Sequence, residues 1–107
     1  MDKYTNKRVM EILKDYLKKV RSKFKLEKSL LFGSRARDDW LLDSDVDLIL
    51  VSEDFSKLKF RERMGELLEY WDEDIDLEVI AYTPKEFEKK KKQIGIVRQA
   101  VQEGIEI

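Results

Sequence analysis

Apolar residues recur at three- and four-residue steps over residues 4–23, at Val9, Ile12, Leu13, Tyr16, Leu17 and Val20, with Lys and Arg between them. That spacing predicts an amphipathic helix with one buried stripe. Ser29-Leu30-Leu31-Phe32 is a short apolar run closed by Gly33, which predicts a buried strand. Residues 46–51 form a second such run, rich in β-branched side chains. Phe60, Met64, Leu67, Leu68 and Trp71 mark a second helix. Residues 75–82 predict a third strand, in which Ile75, Leu77 and Val79 alternate with Asp76 and Glu78. Thr83-Pro84-Lys85-Glu86 is a helix start, with a Thr cap, Pro at the first position and Glu at the third. A last helix carries Ile94, Val97, Ala100 and Val101, with Gly104 placed to end it. Helix, strand, strand, helix, strand, helix, helix describes an α/β (α+β) domain, a small sheet flanked by helices. One Pro, no Gly/Ser-rich linker and no internal repeat make residues 1–107 a single domain.

Composition narrows the chemistry. A chain of 107 residues with 42% hydrophobic content can build one core and is too apolar for a wholly disordered chain. No run of 18 apolar residues occurs and the first residues carry no apolar signal stretch, so a transmembrane helix is excluded and a cytoplasmic location is expected. Cys and His are both absent, which removes disulfides, thiolate and imidazole ligands and any His base. A metal could be held only by oxygen, favouring Mg²⁺ or Mn²⁺ over Zn²⁺. The net charge of −1 hides an asymmetry. Residues 1–28 carry ten Lys/Arg and four Asp/Glu, whereas residues 38–54 carry seven Asp/Glu and no Lys or Arg. A basic element beside an acidic one suits a site for cations and phosphates, and equally a solvated helix face next to a charged loop. Charged residues at 42%, with a single Asn, also resemble a heat-adapted protein. Calorimetry should therefore place the melting temperature above the roughly 45–65 °C of mesophile domains.

Two short segments carry the candidate chemistry. In Asp45-Val46-Asp47, the i and i+2 side chains leave a strand on one face, with Cα atoms roughly 6.6 Å apart. Carboxylates converging there repel each other unless a positive charge lies between them, and a divalent cation supplies it. Such pairs also occur at ordinary strand ends, so the motif alone is weak. Gly33-Ser34-Arg35-Ala36-Arg37 adds a second feature. Gly33 permits a sharp turn and close backbone approach, Ser34 offers a hydroxyl and an N–H, and Arg35 and Arg37 offer donors suited to phosphate oxygens. Read alone, this is a strand-ending turn with two solvated arginines. Together the segments fit one nucleotide, since Mg²⁺ is usually held by one or two carboxylates plus substrate phosphates.

Gly33-Ser34, ten intervening residues and then Asp45-Val46-Asp47-Leu48 resembles the signature of the DNA polymerase beta-like nucleotidyltransferase superfamily. Phe32 to Arg37, with Ser44 ahead of Asp45, is similar to its minimal nucleotidyltransferase (MNT) branch. The resemblance implies a nucleotidyltransferase fold with a small mixed sheet, and binding of a nucleoside triphosphate, ATP by analogy, with Mg²⁺. It assigns phosphate binding to Gly33 and Ser34 and metal binding to Asp45 and Asp47. A third carboxylate is implied on a later strand. Asp74, Asp76 and Glu78 share parity; Ile75-Asp76-Leu77 fits the family pattern best, with Glu78 in reserve, so Asp76 would complete the metal site and accept a proton. Many relatives have Gly at Asp38, Ala near Trp40 and Pro near Leu42. Trp40-Leu41-Leu42 either folds back onto the core or offers a partner-binding patch.

The resemblance further implies an antitoxin that transfers AMP to a Tyr hydroxyl on a HEPN-domain ribonuclease toxin, within a hetero-oligomer. A non-catalytic module that neutralises its partner by binding alone is the alternative. Nucleotide addition to RNA ranks last, because the basic tracts lack the interleaved aromatics that stack bases. No residue in the sequence declares the donor base.

Overall fold

The computed structural model describes residues 6–33 and 45–107. Ser34, Arg35, Arg37, Asp38, the Trp40-Leu41-Leu42 segment and Ser44 lie outside the described residues. Helix α1 (Asn6–Arg21) buries all six positions of the predicted stripe, from Val9 to Val20. Strand β1 (Lys28–Phe32) pairs antiparallel with β2 (Val46–Val51), and β2 pairs in parallel with β3 (Leu77–Tyr82). A 3₁₀ turn (Glu53–Lys57) and α2 (Phe60–Leu68) make the crossover between β2 and β3. Helices α3 (Pro84–Lys91) and α4 (Ile96–Glu103) follow, then a two-residue strand β4 (Ile105–Glu106) antiparallel to β1. The sheet runs β3-β2-β1-β4 and is mixed, as the resemblance implies.

Both sheet faces are covered, which explains why β1 and β2 read as continuous apolar runs. On one face Leu31, Val46, Leu48, Leu50, Leu77 and Val79 pack with Leu13, Leu17 and Val20 of α1 and Leu67 of α2. On the other, Leu30, Phe32, Ile49, Val51 and Tyr82 meet Phe87 of α3 and Val97 and Ala100 of α4. Asp47 interrupts the run in β2 and is half-buried, so its carboxyl sits against this second, helix-covered face. Among the described residues no helix is long and apolar enough to cross a membrane.

Three expectations need correction, and one strand was not expected. β3 begins at Leu77 instead of residue 75, because the Ile75 carbonyl accepts the Trp71 indole N–H at 2.8 Å and leaves the ladder. Trp71 lies beyond α2, and Phe60 and Met64 on that helix are exposed, since the buried slots go to Arg63 and Leu67. Ile94 precedes α4 and is 92% exposed. β4 is too short to leave a periodic signal; it exists because the β1 edge takes it up, with Ile107 N donating to Ser29 O at 2.9 Å. The predicted start of α3 is present: Thr83 Oγ1 accepts from Glu86 N at 3.2 Å, and Glu86 Oε1 accepts from Thr83 N at 2.8 Å.

Gly104 joins α4 to β4 where two backbones crowd it. A methyl there would meet the Ala100 carbonyl oxygen and lie 2.9 Å from that of Leu31. Neither backbone oxygen can step aside as a flexible side chain would. Gly104→Ala is expected to cost about 2 kcal/mol, read as a lower urea midpoint at unchanged slope. An unshifted midpoint would mean that the β1–β4 edge yields freely.

Candidate active site

The sheet brings together residues that are far apart in the chain. The antiparallel register sets Phe32 opposite Asp47, and the parallel register sets Asp47 beside Glu78. Residues paired across neighbouring strands point to the same face, so Phe32, Asp47 and Glu78 form one row. Helix α4 supplies the facing wall through Ile96, Gln99, Ala100 and Glu103, which share a stripe at three- and four-residue steps. Between row and wall lies a cleft of about 320 Å³, with Gly33 at its edge.

The cleft is electrostatically tense. Asp47 is pushed up from 3.8 to about 6, first by burial, then by the charge of Glu78 and a carboxyl–carboxyl hydrogen bond to it, and last by the charge of Asp45. The donor set is made wholly of carboxylate oxygen, the chemistry that suits a hard divalent cation. A cation there would relieve the repulsion between the two carboxylates. Among the described residues, no group of three or more acidic side chains is disposed to hold a metal ion.

Gly33 adopts φ of +77°, in the region that side chains disfavour. A methyl at this position would stand 2.5 Å from Asp47 Oδ2. The glycine after β1 therefore gives both the turn and the room that the carboxylate occupies. Gly33→Ala is expected to cost about 1–2 kcal/mol in melting experiments, through the disfavoured φ and the displacement of Asp47. An unshifted melting temperature would mean that the turn and Asp47 adjust freely.

The residues expected from sequence divide as follows. Asp45 directly precedes β2, and its charge reaches Asp47. Asp76 stands one residue ahead of β3 with an exposed side chain, while its carbonyl accepts from Val46 N at 2.9 Å. Glu78, the reserve candidate, is the carboxyl that meets Asp47. The phosphate-loop residues Ser34, Arg35 and Arg37 lie outside the described residues. Sequence reasoning missed the α4 wall. Ile96, Gln99 and Glu103 form no motif, and their stripe reads as an ordinary helix surface until the helix is folded over the sheet.

Comparison with known proteins adds an independent line. Residues 13–105 match the profile of the nucleotidyltransferase domain family. Two proteins of Methanocaldococcus jannaschii, both described as candidate protein adenylyltransferases, are similar in sequence. One is 32% identical over 77 residues, spanning 72% of this chain and 76% of that protein. The other is 34% identical over 58 residues, spanning 52% of this chain and 59% of its own length. A crystal structure of a candidate nucleotidyltransferase from Sulfolobus solfataricus superposes with a TM-score of 0.70 at 24% identity, covering 94% of this chain and 80% of that one, a likeness of fold.

Proposed function

The chain belongs to the nucleotidyltransferase domain family, and we propose that it moves AMP from ATP to a hydroxyl, that of a Tyr, on a partner protein. The observation that carries the reading is the Asp47–Glu78 carboxyl pair, set beside the Gly33 turn in one open cleft. Similarity to two proteins described as candidate protein adenylyltransferases supports a protein as acceptor.

In this reading Asp45 and Asp47 would hold Mg²⁺ or Mn²⁺ together with oxygens of the triphosphate itself, which leaves Glu78 or Asp76 as the proton acceptor. An ion held there would supply the positive charge that offsets the negative charge building as pyrophosphate leaves. The Gly33 turn admits the phosphates close to the backbone, with Ser34, Arg35 and Arg37 as donors to their oxygens. The acceptor oxygen attacks the α-phosphorus, the bond to the β-phosphate oxygen breaks, and the hydroxyl proton passes to the carboxylate of Glu78 or Asp76. The rest is positioning and electrostatic stabilisation. The MNT resemblance supports a HEPN-domain toxin as the acceptor, which covalent modification would silence.

Label transfer tests the reading. ATP labelled at the α-phosphate is incubated with Mg²⁺ and lysate of the native host, with wild type and Asp47→Asn side by side, and read on a denaturing gel. A labelled protein band formed only by wild type is expected, and its mass identifies the acceptor. Label appearing in RNA would replace the protein acceptor with a nucleic acid. Absence of label, while the protein still captures a partner, would favour neutralisation by binding alone.

A further inference from the structure

The α4 wall is the part of the cleft that neither the carboxylates nor the phosphate-type turn accounts for. It places an apolar side chain, Ile96, half exposed, on the same cavity as Phe32 of β1. One turn along, the Gln99 amide faces that cavity, with Glu103 one further turn on. Sites for planar ligands have this composition: apolar walls and a few polar groups that fix orientation.

Gln99 is oriented by its neighbour. Its Nε2 donates to Glu103 Oε2 at 3.2 Å. Flipping the amide would turn its oxygen toward the Glu103 carboxylate, acceptor against acceptor, so the pair selects one orientation. One N–H is then committed to Glu103, and one N–H and the carbonyl oxygen remain for a ligand. A neighbouring donor and acceptor on one amide match the edge of adenine, which offers the N6 amino donor beside the N7 acceptor. Guanine presents the O6 acceptor where adenine presents its amino group, so it would meet the Gln99 oxygen unfavourably.

We propose that the α4 wall is the base-reading subsite of the cleft: a purine lies between Ile96 and Phe32, and Gln99, oriented by Glu103, selects adenine. Gln99 is thereby the specificity-determining residue and Glu103 a positioning residue. The assignment rests on the nucleotidyl-transfer reading and deepens it, because it names the donor from the protein's own side chains. The stripe at Ile96, Gln99 and Glu103 brings these groups to the cleft through a helix nearly fifty residues downstream of the acidic pair.

Titration calorimetry with Mg²⁺ and ATP, GTP or inosine triphosphate decides it, using the whole chain and the variants Gln99→Ala and Glu103→Ala. Wild type should prefer ATP over both others by roughly tenfold, within the range of one good bidentate contact. Gln99→Ala should bring the three affinities together while retaining triphosphate binding. Glu103→Ala should narrow the ratio as well, which a purely structural role would not do. Gln99 and Glu103 are exposed, so both variants should melt close to wild type. Equal binding of all three nucleotides by wild type overturns the base assignment and leaves nucleotidyl transfer standing. An undiminished ATP preference in Gln99→Ala also overturns it. Failure of wild type to bind any triphosphate removes the nucleotidyl-transfer reading, and the base assignment with it.

Discussion

Asp47→Asn is expected to reduce nucleotidyl transfer by about a thousandfold and, in the same protein, to raise the melting temperature at neutral pH. The two effects share one cause. Asp47 is pushed up to about 6 by burial and by the neighbouring charges of Glu78 and Asp45, so its ionised form is the strained one. Its folded value lies above its ordinary value of 3.8, so between about pH 4 and 6 the folded protein binds more protons than the unfolded chain. Stability from this group is therefore fully present below about pH 4 and is lost as pH rises through 6. Asn keeps the shape of the protonated side chain and carries no charge to desolvate. At pH 7 the variant should gain about 1–2 kcal/mol, discounted for partial exposure and solvent screening. Below pH 4 the two proteins should melt alike. Melting curves from pH 4 to 8 check the sign: a variant less stable than wild type at pH 7 would mean that Asp47 holds the fold together. On the proposed reading activity falls because an amide lacks the negative charge that would hold a divalent cation.

Arg63→Ala should produce the largest loss of stability, about 3 kcal/mol. The Arg63 side chain is 5% exposed and joins three elements. Its Nε donates to Leu58 O at 3.3 Å, Nη1 donates to Ala81 O at 3.1 Å and to Glu86 Oε1 at 2.6 Å, and Nη2 donates to Glu86 Oε2 at 3.4 Å. The guanidinium also lies over the Phe60 ring at 5.4 Å. These contacts tie α2 to the end of β3 and to the capping box of α3. The hydrogen bond from Arg63 is the main reason that the Glu86 carboxyl is held below its usual value. Truncation would leave the two carbonyls short of donors and open a void beneath Phe60. Glu86→Gln should cost less, about 1 kcal/mol, because Glu86 is 41% exposed and Gln retains an acceptor for the arginine. A double-mutant cycle read by urea unfolding checks the coupling; additive losses would mean that the ion pair contributes little beyond burial of the arginine stem. Neither residue lines the cleft, so nucleotide affinity should survive in folded variants.

The helices and strands were legible where burial is one-sided or complete. The α1 stripe, the apolar runs of β1 and β2, and the Thr83 capping box each follow from interactions within about four residues. Reading failed where a contact that hydrophobic periodicity does not register intervened. Arg63 occupies a slot that an apolar stripe would assign to a hydrophobe, because Ala81 and Glu86 satisfy it from elsewhere in the chain. Trp71 and Ile75 close a local hydrogen bond that delays the start of β3. β4 has no pattern of its own and depends on the open edge of β1.

The candidate site divides along the same line. Sequence by itself determined which groups are available: a glycine turn after one strand, two carboxylates at the mouth of the next, and no His or Cys, so that any metal would meet only oxygen ligands. These are local facts, and chain connectivity alone keeps Asp45 and Asp47 within reach of each other. Tertiary structure decided which distant residues join them. The parallel register of β2 and β3 set Glu78 beside Asp47, a neighbour that parity, which Asp74, Asp76 and Glu78 share, does not single out. The packing of α4 against the sheet turned an unremarkable helix stripe into the facing wall. The physical reason is that side-chain period fixes a residue's face, whereas its neighbours on that face depend on strand register and helix docking, which the whole core sets together.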